Sequence, residues 1–199
     1  MKLLADLRSL RPLRPLSTTE AYSIAERQAA RLLRRSGVTV GPVPSEIITE
    51  QPFIRVGVRR GLVSSGATKW IKPHWVILLN GMEPLTRRRF SLAHEYKHVL
   101  DHPYHRAFAS LNTPERRQAN ERLCDYFAAC LLMPRPWIKA AWTAGIQDPV
   151  ELARRFEVSP QAMQVRLLQL GLLDPYARCA GLDATYLRAL PVLPPELAA

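Results

Sequence analysis

The chain is poor in cysteine, short of acidic residues, and without a long apolar run. Its three cysteines, Cys124, Cys130 and Cys179, are an odd number and form no C-x-x-C pair, which argues against a disulfide framework. Cys124 and Cys130 sit in an apolar stretch and read as small core residues. No segment reaches the roughly 20 apolar residues needed to cross a bilayer, so no membrane partner is expected. Met1 to Asp6 lacks the apolar core of a signal peptide, and the expected location is cytoplasmic. Only 17 acids face 28 lysines and arginines, for a net charge of +11. That excess suits nucleic acid or an acidic partner. An arginine-rich, high-GC genome would give the same composition, and the charge is spread along the chain. The length of 199 residues suits one compact domain with a small appendage.

What the chain does have is Arg87-Arg88-Arg89-Phe90-Ser91-Leu92-Ala93-His94-Glu95-Tyr96-Lys97-His98-Val99-Leu100-Asp101-His102, which contains H-E-x-x-H. Residues four apart on a helix share a face, offset by about 40° and about 6 Å along the axis. His94 and His98 can therefore aim two imidazole nitrogens at one metal ion. Glu95, one step round, is placed to act as general base on a water there. Phe90, Leu92, Ala93, Tyr96, Val99 and Leu100 make the segment apolar enough for a buried helix. Buried histidines need partners, and zinc is a suitable one.

A catalytic zinc site keeps three protein ligands and one open position. The best source of the third is Asn120 to Pro134, which has helical apolar periodicity through Leu123, Phe127, Cys130 and Leu131. Glu121 and Asp125 are four apart and share a face. Glu121 can bind the metal while Asp125 accepts the outer N–H of a ligand histidine, fixing its tautomer. His102, four beyond His98, competes for the third place, although three ligands from consecutive turns of one straight helix converge poorly. His102, Tyr104 and His105 are also candidates to hold an oxyanion. His74 reads as a strand-end residue.

These segments resemble the ImmA/IrrE metallopeptidases. The resemblance rests on R-R-F-S-L-A-H-E-Y-K-H (88–98), E-R-L-C-D-Y-F-A-A-C-L-L-M-P (121–134) and Glu151 to Leu173, and it runs over roughly 20–173. It implies zinc on His94, His98 and Glu121, with Glu95 as base. Lys97 stands where that family usually has glycine, and Cys124 where it usually has alanine. A lysine there either snorkels to solvent or intrudes on the metal site.

In chain order, 1–16 reads as a basic, partly ordered leader. Ser17-Thr18-Thr19-Glu20 has capping-box spacing and predicts a helix burying Tyr22, Ala25, Ala29, Leu32 and Leu33, ended by Gly37. Strands are predicted over Phe53–Val58, Leu62–Trp70 (weakened by Gly66) and His74–Asn80. The metal helix runs from Leu85 to Leu100, and Asp101 to His105 ends it. Thr113-Pro114-Glu115 starts the second long helix. Val150 to Phe156 and Gln161 to Leu170, joined by Val158-Ser159-Pro160, have a helix-turn-helix outline. Arg154, Arg155 and Arg166 are its candidate phosphate contacts, though DNA binding is not favoured. The expected fold is α+β: a zincin-like core over 17–145 with a small three-stranded sheet and two metal-bearing helices. A helix-turn-helix-like appendage follows over 146–174, then a Pro-rich irregular tail over 175–199.

The expected function is a zinc endopeptidase. The resemblance implies a regulatory protein substrate, a helix-turn-helix repressor or antitoxin. The competing expectation is a catalytically silent regulator that binds DNA or a repressor on a zincin scaffold.

Overall fold

A computed structural model describes residues 2–108 and 113–173. The tail expected over 175–199, with Cys179, lies outside them. The fold is α+β. Among the described residues the order is α1 (Lys2–Arg8), α2 (Thr18–Arg35), α3 (Glu46–Thr49), β1 (Ile54–Arg59), β2 (Gly66–Ile71), β3 (His74–Asn80), α4 (Leu85–Ala107), α5 (Pro114–Leu132), α6 (Arg135–Thr143), α7 (Pro149–Phe156) and α8 (Pro160–Gln169).

The predicted capping box starts α2. Ser17 Oγ accepts from the Glu20 amide at 3.2 Å, and the Glu20 carboxylate accepts from the Ser17 amide at 2.9 Å. Ala25, Ala29, Leu32 and Leu33 are buried behind it. Tyr22 is only half-buried and lies against Tyr126, ring centroids 4.6 Å apart.

The sheet order is β1-β3-β2, with β1 parallel and β2 antiparallel to β3. Trp75, Ile77 and Leu79 of β3 enter the core at alternate positions, as the pleat requires. β2 begins at Gly66, so Leu62 to Ser65 fall outside the strand predicted there. Its outer edge is unpaired within the sheet.

Helix α4 packs between this sheet and α5, burying Leu92, Ala93, Tyr96, Val99 and Leu100. It does not end over Asp101 to His105 as predicted, but continues through Pro103 to Ala107. Proline lacks the N–H that would bond to the Val99 carbonyl. Arg8 supplies the missing donors: Nη2 reaches Val99 O at 2.7 Å and Nε reaches Leu100 O at 3.3 Å. The orphaned carbonyl is thereby satisfied and the helix survives its proline.

Residues 2–16 are therefore not the partly ordered leader that their composition suggested. Leu7 is fully buried, Gln28 Nε2 donates to Leu7 O at 3.0 Å, and Tyr104 Oη donates to Arg8 O at 2.9 Å. Arg11 pairs with Asp101 at 2.7 Å.

Lys97 joins the same cluster. It is fully buried, and its Nζ donates to Gln28 Oε1 at 2.9 Å and Asp101 Oδ1 at 2.8 Å. It neither snorkels nor intrudes on the metal residues. Burial pushes the Asp101 carboxyl upward, but Lys97 and Arg11 outweigh it and hold that carboxyl below its ordinary range. A lysine is tolerated at this position because a buried carboxylate one turn along and an amide on α2 receive it.

Helices α7 and α8 share the main core through Leu152, Phe156, Val158, Met163 and Leu167. Arg89 ties their turn to the body by pairing with Glu157 and donating to Val43 O at 2.8 Å. Arg166 corrects another expectation. It is buried, with Nε donating to Met133 O at 3.1 Å and its guanidinium over the Tyr126 ring, so it cannot meet phosphate. Arg154 and Arg155 remain exposed. Among the described residues no helix is long and apolar enough to cross a membrane.

Candidate metal centre

Helices α4 and α5 pack side by side and bring one polar face of each together. His94 Nε2 lies 3.2 Å from His98 Nε2 and 3.1 Å from Glu121 Oε2, and His98 Nε2 lies 3.5 Å from Glu121 Oε1. A tetrahedral ion bonded at about 2.0–2.1 Å has ligand-to-ligand edges of about 3.3 Å. The three donors already stand at that spacing.

The electronics agree. His94 Nδ1 is 2.8 Å from Asp125 Oδ1, a contact that directs the ring's proton to Nδ1 and the Nε2 lone pair toward His98 and Glu121. Two imidazoles and a carboxylate thus converge, a donor set of the kind a divalent cation takes. Burial pulls the His94 pKa down, but Asp125, with Glu95 and Glu121, more than reverses this, and the net direction is upward. The field that favours a proton on that ring also favours a metal ion. The residues therefore fit zinc.

Cys124, read from sequence as core, is buried with Sγ 3.8 Å from His98 Nδ1. With His94 and His98 it also makes a group whose potential donors lie within 4.8 Å of one another. The thiol meets the back of the His98 ring, however, while Nε2 faces His94 and Glu121. Burial pushes the thiol well above its ordinary range while no metal is bound. Glu121 reaches both imidazole Nε2 atoms, at 3.1 and 3.5 Å, and stands beside Cys124 as a candidate third donor. His102 is directed elsewhere: its ring packs edge-on against Trp75, centroids 4.7 Å apart.

Glu95 is nearly buried, and its Oε2 accepts a 2.6 Å hydrogen bond from Thr68 Oγ1 on β2. The strand can run this close only because of Gly66. A Cβ there would lie 2.9 Å from Glu95 Cγ and 3.0 Å from Oε1. Sequence reading took Gly66 as a weak point in a strand and missed both residues as supports for the base. An interior strand glycine does signal close approach, but nothing in the sequence says to what.

Two cavities flank the donors. One of ≈ 300 Å³ is lined by Thr68, Trp75, Glu95, His98, His102 and His105. The other, of ≈ 570 Å³, also includes His98 and His105 and reaches Glu121 and the first turns of α5. Of the three oxyanion candidates, Tyr104 is removed, because its hydroxyl is committed to the carbonyls of Arg8 and Arg11. His102 and His105 both line the cavity beside Glu95.

This fold and site define a zincin-like class of proteases and regulators. The IrrE N-terminal-like domain family, a peptidase family, matches residues 53–168, and the chain belongs to it. A solved structure named "Mycobacterium tuberculosis transcriptional regulator" is similar with a TM-score of 0.56 and 24% identity, over 72% of this chain and 55% of that one. That likeness is one of fold, and the chain spans little more than half of that protein's length. No curated protein matches the chain.

Proposed function

We propose that this protein is a zinc-dependent endopeptidase acting on a specific regulatory protein, a helix-turn-helix repressor or antitoxin. The observation that carries the reading is the convergence of His94 Nε2, His98 Nε2 and Glu121 at 3.1–3.5 Å, with Glu95 lining the cavity that His98 also lines. Zinc held there would acidify a water and polarise a substrate carbonyl. Asp125 orients His94. Thr68 holds one oxygen of Glu95, leaving the carboxylate aimed along the cavity it lines. Glu95 takes the proton from the attacking water and returns it to the leaving amine. His102 and His105 line the cavity beside Glu95 and are the candidates to donate to the developing oxyanion.

Cavities on both sides of His98 suit a chain that passes through the site, which favours internal cleavage. The unpaired outer edge of β2 offers main-chain hydrogen bonds to an extended segment.

The test has two arms. Purified wild type retains about one zinc per chain, and Glu121→Ala loses it. Zinc-loaded wild type, mixed with helix-turn-helix repressors and antitoxins from the same cell, yields two fragments of one of them by mass spectrometry. Glu95→Gln keeps the metal and yields none. A retained ion in Glu121→Ala removes that carboxylate from the ligand set.

The structural neighbour is named a transcriptional regulator, which favours one competing reading, a protein that acts by binding. Under it, control of the partner survives Glu95→Gln intact. Its DNA-binding form is weakened by the burial of Arg166.

A further inference from the structure

The larger cavity beside the metal residues has a one-sided charge. Four arginines line it, Arg11 and Arg14 from the N-terminal segment and Arg116 and Arg117 from the first turns of α5, together with His105. Among the described residues its one acidic lining residue is Glu121, whose charge a metal ion would offset. Arg11 is paired with Asp101, and Arg14 with Glu20 at 2.6 Å. Arg14 nevertheless remains 55% exposed, and Arg116 and Arg117 are exposed on the opposite wall. One wall belongs to residues outside the 53–168 family match. The N-terminal segment anchored by Arg8, Leu7 and Arg11 thus completes a cleft that the family core alone leaves open.

We propose that this cleft binds an acidic stretch of polypeptide lying to one side of the scissile bond. The inference rests on the endopeptidase reading and supplies its specificity. From Glu121 back to Arg117 and Arg116 is roughly 6–8 Å along the helix axis. An extended chain covers that in two to three residues at about 3.3 Å each. The acidic side chains therefore fall about two to three positions from the bond cut. Pro15, Leu16 and Leu123 between the charges give the cleft an apolar floor suited to peptide side chains. Nucleic acid fits less well. A phosphate backbone leaving the cleft across the candidate metal ligands would run onto the carboxylate of Asp125, 59% exposed and not among those ligands. A peptide with its acids confined to one side avoids it.

The experiment uses full-length protein carrying Glu95→Gln, loaded with zinc. Fluorescence anisotropy reports binding of a labelled peptide with a run of glutamates, its lysine-substituted counterpart, and a single-stranded oligonucleotide of similar length. The glutamate peptide binds at least about tenfold more tightly than the lysine peptide, and the preference shrinks as salt rises from about 50 to about 300 mM. Arg116→Glu with Arg117→Glu costs about tenfold or more in that affinity, while zinc content is unchanged. The same charge change on a distant surface, Arg154→Glu with Arg155→Glu, costs little. Should the first pair unfold the protein, Arg116→Gln with Arg117→Gln replaces it, with a smaller loss.

Equal binding of the two peptides overturns the proposal. So does an equal loss from the Arg154/Arg155 pair, or an oligonucleotide that binds more tightly and depends on the same two arginines. The reading beneath it fails differently. A glutamate peptide held in the cleft, with no protein cut by wild type, removes the endopeptidase and leaves the acidic-peptide site standing. Cleavage of a partner without any acid preference does the reverse.

Discussion

Asp101 holds two cations in the core, and removing it is expected to cost more than removing either of them. Lys97 is fully buried and Arg11 nearly so, each within 2.8 Å of a different Asp101 oxygen. Asp101→Asn deletes the negative charge facing both and leaves Lys97 with neutral partners, Gln28, the new amide oxygen and the Phe127 ring. Leaving one partner of a buried pair uncompensated costs about 3–5 kcal/mol, a large part of a domain's total of about 5–15 kcal/mol. Lys97→Met keeps the aliphatic stem and leaves Asp101 with Arg11. It loses a hydrogen bond to Gln28 and should cost only about 1–2 kcal/mol. The double variant is the sharper test. With Lys97 gone there is no trapped charge, and Arg11, 14% exposed, can turn toward water. Lys97→Met with Asp101→Asn should be more stable than Asp101→Asn alone, by about 1–3 kcal/mol.

Equilibrium urea unfolding, followed by tryptophan fluorescence, measures all three variants. At a slope of about 1–3 kcal/mol/M, the single variants separate by about 1 M in midpoint. Acid supplies a second readout. The folded Asp101 carboxyl is held below its ordinary range, so its contribution is full above about pH 4. It fades as the pH falls through the depressed folded value. Wild type and Asp101→Asn should converge in acid. If Lys97→Met proves as costly as Asp101→Asn, or the double variant is the least stable of the three, the lysine does not sit between Asp101 and Gln28.

Gly66→Ala places a methyl 2.9 Å from Glu95 Cγ, and the flexible carboxylate gives way and loses Thr68. A displacement near 1 Å costs about 10²-fold in cleavage rate with zinc content intact, whereas an unchanged rate would separate Gly66 from the base. Arg8→Met leaves the Val99 carbonyl beside Pro103 without a partner, at about 1–3 kcal/mol and with faster amide exchange over residues 103–107 of α4; exchange confined to α1 would contradict that coupling. Asp125→Asn removes the charge on His94 Nδ1 and should weaken zinc by about 10–100-fold in a chelator competition, and an unaltered affinity would leave that contact without a role.

The sequence displayed the parts of this site that are local. H-E-x-x-H carries its own geometry, because 3.6 residues per turn fixes where two side chains four apart must point. The same periodicity placed Glu121 and Asp125 on one face. The capping box at Ser17 and the turn at Val158-Ser159-Pro160 are equally local, and they appear where the spacing put them. What did not show were effects created by distant segments. Pro103 looked like a stop because nothing nearby could replace its missing donor, and Arg8, 95 positions away in number, replaces it. Arg166 looked like a phosphate contact because arginine usually faces water, yet Met133 O and Tyr126 hold it inside.

Lys97 joins these cases to function. As a lone letter beside two candidate metal ligands it suggested an intruding charge and an impaired pocket. Its neighbours decide otherwise: Asp101 one turn along the same helix, Gln28 on α2, and Arg11 on the far side of that carboxylate. The cluster links α4 to the N-terminal segment that walls the larger cleft, and Asp101 lies two turns beyond His94 on the helix flank that presents His94 and His98. A glycine at this position would leave Asp101 with Arg11 alone. The lysine therefore ties the metal helix to the cleft wall, and a variant that frees this segment should loosen the cleft before it disturbs the metal.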